Sequence, residues 1–202
     1  MQKGTLLLLC RALLGMHYGF SSRYNWDWPS QSVNQNGTRR VKSIVSKTAK
    51  FIIETADYKA IFNLKEFDEE WVDVVIKFAL HPELGDLSLE SVPEMVTFRD
   101  LHWLVDYFDQ HVDGLRRSQD HISPVFLTHN FGFQIQALPG SVLIMENGEE
   151  SVEFEILFLI CIGQRKDYPR AFFGGQSGIS GEQIKAFKES LYMALESLKN
   201  GP

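Results

Sequence analysis

The feature that most constrains this fold is a long stretch of two-residue alternation folded back on itself by one turn signal. Val125, Leu127, Phe131, Phe133, Ile135 and Ala137 take one set of positions, while Thr128, Asn130, Gln134 and Gln136 take the other. A period of two puts successive side chains on opposite faces, so this reads as a half-buried strand. Pro139-Gly140 reads as a turn, and Val142 and Ile144 lead into Asn147-Gly148, a strong hairpin signal because both residues tolerate positive φ. The return segment carries Val152, Phe154, Ile156, Phe158, Ile160 and Ile162 on one face. Its other face begins with Glu153 and Glu155 and becomes apolar at Leu157, Leu159 and Cys161. That change predicts a far half covered on both sides.

The same period marks shorter strands upstream, at Phe51 and Ile53, at Tyr58 to Leu64, at Val72 to Phe78, and near Leu87 and Leu89. Two segments switch to helical spacing. Thr97 is a good N-cap with Asp100 in the first turn, and Leu101, Leu104, Val105, Phe108, Val112 and Leu115 form one stripe. Ser180 with Gln183 makes a capping box, followed by the stripe Ile184, Phe187, Leu191, Ala194, Leu195 and Leu198. Between the hairpin and this helix, a segment with Arg165, Lys166, Arg170 and Gly174-Gly175 reads as a loop. Strands, helix, strands, helix with tight connections predict an α+β domain over residues 49–200. Its expected form is an antiparallel sheet of about five to seven strands with two amphipathic helices packed on one face.

Charge divides the chain. Residues 1–50 hold eight Lys/Arg against Asp27 alone, a local net of +7, and residues 51–202 hold twelve against twenty-five Asp/Glu, a local net of −13. With 44% hydrophobic residues and fifteen Phe, the acidic part can build a sizeable core. Such a body repels nucleic acid and attracts basic partners over roughly a Debye length. Residues 1–48 read as a basic leader, because the Ser, Asn, Gln, Gly and Arg composition of 21–47 cannot bury enough apolar surface to order itself. Residues 1–20 hold the alternatives of a short docking helix or an export signal. Arg11 cuts the apolar run after about five residues, short of the ~7–15 of a signal core. No run approaches the ~18 apolar residues of a membrane helix. With no disulfide framework and Cys161 in an apolar run, the expected compartment is the cytoplasm.

The search for chemistry returns little. His102 and His111 lie nine residues apart, which turns a helix by about 180° and separates them. His121 and His129 match no metal-ligand spacing. There is no nucleophile elbow, and the glycines at 174, 175, 178 and 181 match neither phosphate-binding pattern. No metal or cofactor is expected. An enzyme with a cleft near His121 and His129, or a scaffold domain, remains the alternative to a binding protein.

Several local patterns occur together in a definite order. Glu70-Trp71-Val72 starts a strand, Thr97-Phe98-Arg99-Asp100-Leu101 opens the first helix, and Ser123-Pro124 precedes Phe131-Gly132-Phe133. Glu153-Phe154-Glu155-Ile156 and then Gln176-Ser177 follow, ahead of the last helix. In this order and spacing, residues 50–198 resemble the WapI-like bacterial immunity proteins, small inhibitors of delivered toxins. The chain departs from that pattern in carrying Gly175 where an Asp is usual, and in the basic leader. The resemblance implies a binding protein that neutralises a cognate toxin. A toxin acting on nucleic acid is usually basic, which suits an acidic inhibitor. The candidate contacts are the acidic ridges Glu66, Asp68, Glu69, Glu70 and Glu149, Glu150, Glu153, with Trp71 and Trp103 as aromatic anchors.

Overall fold

A computed structural model describes residues 47–200 except 129, 165, 167 and 168. The leader expected over 1–48 therefore lies almost wholly outside the described residues, as does His129. The chain runs β1 (Thr48–Glu54), β2 (Tyr58–Glu66), β3 (Trp71–Leu80), β4 (Ser88–Glu90), β5 (Glu94–Thr97), α1 (Phe98–Arg117), β6 (Phe126–Leu127), β7 (Phe133–Ile144), β8 (Glu150–Gln164), β9 (Arg170–Ser180) and α2 (Gly181–Asn200). This is the expected α+β class, antiparallel throughout. The described strands number nine and divide into two sheets, where one sheet of five to seven was expected. The first orders β1-β2-β3-β4 with β5 also on β3, and the second orders β6-β7-β8-β9. Alternation reports which face of a strand is buried but not which sheet it joins, so one sheet and two read alike.

The inner faces of the two sheets meet through aromatic rings. Phe62 lies edge-on to Phe133 at 5.3 Å and tilted against Phe158 at 5.8 Å. Both helices join the same cluster. Phe187 of α2 sits 5.9 Å from Phe51 and 5.5 Å from Phe108 of α1. Burying each such ring contributes about 2–3 kcal/mol, so this one aromatic cluster ties both sheets and both helices into a single core. Both caps form as read. Thr97 Oγ1 accepts from the Asp100 amide while Asp100 accepts from the Thr97 amide, and Ser180 and Gln183 exchange the equivalent pair. The α2 stripe is buried at all six expected positions.

Four local readings need correction. The segment from Val125 to Ala137 is not one strand, because a turn at Thr128–Gly132 separates the two-residue β6 from β7. Pro139-Gly140 does not reverse the chain. It forms a bulge within β7, where proline's missing amide is tolerated. A second bulge between Cys161 and Gly163 leaves Ile162 unpaired and exposed where an inward position was expected, while Cys161 is buried as read. The glycine-rich loop is instead β9, paired to β8 along its whole length.

Outside β6, the edge of β7 is completed by groups that are not strands. The Ala137 amide donates to the Tyr107 hydroxyl at 2.7 Å, the Ser123 amide donates to the Ala137 carbonyl, and the Gly140 amide donates to the Gln119 carbonyl.

Candidate functional site

The acidic turn between β2 and β3 is built by Asp68. Its carboxylate accepts the Glu70 and Trp71 amides, each at 2.8 Å, closing an Asx turn that puts Glu69 and Glu70 at the tip. Trp71 then pairs with Thr97, and the Phe98 amide donates to the Glu70 carbonyl at 3.0 Å. These bonds fix the turn against the first turn of α1. Trp103 lies five residues along that helix, about 7–8 Å further at 1.5 Å per residue. Its ring is 51% exposed, with the Arg99 guanidinium 4.6 Å from its centre. Phe67, in the same turn, is 60% exposed. The structure thus brings the first expected ridge and Trp103 to one end of the molecule.

It separates them from the second ridge. Glu150 takes a two-point bond from Arg116, Nε to Oε1 at 2.9 Å and Nη2 to Oε2 at 2.7 Å. Arg116 lies 18 residues beyond Phe98, which puts the two ridges about 27 Å apart along α1. A partner face of standard size, about 800 Å², would reach both only at its rims.

The expected acidic residues also differ in freedom. Glu66 pairs with Lys47 at 3.8 Å, Asp68 is occupied with the turn, and Glu149 accepts from Asn147. The Arg116 guanidinium holds the Glu150 carboxyl below its ordinary range. Glu94, Asp109 and Asp113 are paired with Arg170, Lys188 and Arg116. Burial nevertheless pushes Glu94 above the ordinary carboxylate range, with Arg170 opposing it. Trp71 is half-buried beneath its strand pairing, so of the two expected aromatic anchors only Trp103 is exposed. Glu69, Glu70 and Glu153 remain exposed, and among the described residues their carboxylates have no partner.

A polar group that the sequence reading missed lies inside α1. His111 is 0% exposed, and its Nδ1 is 3.0 Å from the Ser123 hydroxyl. That hydroxyl is 3.4 Å from His121 Nε2, and the two imidazole centres are 5.3 Å apart. The His121 ring lies where a Cβ on Gly114 would sit. His111 Nε2 is buried without a partner, which favours the tautomer with the proton on Nδ1, since an orphaned N–H costs more than an orphaned lone pair. Burial first and the adjacent His121 second lower the His111 pKa from 6.5 to about 4. The signal was present, because 101, 104, 108, 111 and 115 share one helical stripe.

This group is no cleft. A shallow groove of about 610 Å³ between α1 and α2 is lined by charged and aliphatic side chains such as Asp109, Lys185 and Lys188, with no histidine. No group of three metal-ligating side chains occurs among the described residues. Among them, no helix is long and apolar enough to cross a membrane. Comparisons with family models, with curated proteins and with solved structures each return no match.

Proposed function

We propose that this domain is an inhibitor-type binding protein that docks on a basic protein and occludes it, in the manner the immunity-protein resemblance implies for a cognate toxin. One observation carries the reading. Glu69 and Glu70 have no side-chain partner among the described residues, and they stand at the tip of a turn that also exposes Phe67 and is bonded to the start of the helix that exposes Trp103. Exposed aromatic side chains supply binding energy when a partner covers them, and nearby unpaired charges steer its approach. Neither role needs reacting groups, which accords with a buried rather than accessible histidine cluster.

The test reverses the charge where it is free. The partner is recovered by co-purification with mass spectrometry, and association is followed at two salt concentrations. Glu69→Lys with Glu70→Lys is expected to slow association by about tenfold or more at low salt and to flatten its salt dependence. Both side chains are exposed and outside the core, so the fold is expected to survive. An unchanged association rate at low salt removes the turn from the interface.

A further inference from the structure

Phe131 is the one non-glycine residue with positive φ among the described residues, at 56°. A bulky side chain there is held at a cost of order 1–3 kcal/mol and persists only where its surroundings over-determine it. They do so here. Thr128, itself buried, accepts the Phe131 amide on its carbonyl at 2.9 Å and the Gly132 amide on its hydroxyl at 3.1 Å. The Asn130 side chain donates to the Met95 carbonyl, and the Arg170 guanidinium bonds both the Asn130 carbonyl and Glu94. A Cβ on Gly132 would strike Glu94 at 2.8 Å. All this framework holds out a ring that is 51% exposed and therefore adds little to the core.

The turn adjoins the surface proposed above. Met95 lies two residues before Thr97, which opposes Trp71, so the Asn130 bond falls about 7 Å along β5 from the acidic turn. We infer that Phe131, with Trp103, is the preformed apolar centre of the interface whose acidic edge is Glu69 and Glu70. The partner segment it fits carries an apolar side chain beside Lys or Arg. This rests on the reading of a basic partner, and it adds that the strained turn is kept for binding.

The probe is a phage-displayed library of random 12-residue peptides selected on the full chain, with winners mapped by amide chemical shifts. Enriched peptides are expected to pair an apolar residue with Lys or Arg, to shift amides at 127–132 and 99–106, and to lose at least about tenfold in affinity on Phe131→Ala. Phe131→Gly is expected to bind as poorly while raising the melting temperature by about 2–4 °C through relief of strain. No enrichment, peptides that map elsewhere, or equal binding to Phe131→Ala overturns the anchor. If Phe131→Ala abolishes binding and the Glu69→Lys, Glu70→Lys pair leaves it intact, the anchor stands and the basic partner falls. The reverse pattern retains the basic partner and removes the anchor.

Discussion

Gly174→Ala is expected to lose about 3 kcal/mol of stability, the upper end of overpacking penalties, and to lower the melting temperature by about 6–12 °C. Gly174 pairs with Leu159, and a Cβ there would lie 1.8 Å from the Phe158 carbonyl oxygen and 2.9 Å from the Leu159 Cα. Both are backbone atoms of β8, so no side chain can swing aside and β9 must lift from its neighbour. Gly178, four residues on in the same strand, has nothing within 4 Å of the equivalent position. Gly178→Ala is expected to be neutral or to gain a few tenths of a kcal/mol by restricting the unfolded chain. Thermal unfolding of the two variants separates the claims. If Gly174→Ala melts with the parent, the close β8–β9 approach is wrong.

Acidification is expected to weaken the fold between pH 6.5 and 4 through His111. Its neutral form is favoured in the folded state, with a pKa of about 4 against 6.5 ordinarily. In that interval the unfolded chain binds a proton that the folded chain does not, so stability falls as pH falls. The loss is complete below about pH 4 and amounts to about 3 kcal/mol at 1.36 kcal/mol per pH unit. The groups facing the ring are His121, the Ser123 hydroxyl and the Phe154 ring, with the Leu138 carbonyl opposing the drop. His111→Leu should flatten this slope in denaturant titrations repeated across the interval, whatever it does to stability at pH 7. A slope retained in that variant assigns the effect to another group.

Much of the architecture can be read from the chain because local chemistry and burial agree. The caps at Thr97 and Ser180, the two helical stripes and the Asn147-Gly148 hairpin each state the same answer at two levels. β9 was illegible because glycine has no side chain to alternate. Its positions are set by what they approach, the β8 backbone at Gly174 and the Tyr58 and Phe78 rings near Gly175. The turn at Phe131 was hidden for the opposite reason, since its apolar side chain continues the alternation while its backbone leaves it. At the candidate surface, the carboxylates were visible in the sequence but their occupancy was not. Glu150 is occupied because Arg116, 34 residues away in the chain, is folded against it, which no local pattern reveals.

The hydroxyl of Tyr107 and the backbone groups of Ser123 and Gln119 occupy the middle of the β7 margin, where β6 has already ended. An incoming strand from another molecule would first have to dislodge a helix side chain and a loop to find open amides there. That stretch is therefore a poor seed for fibril growth or strand exchange, a protection a short edge strand alone would not give.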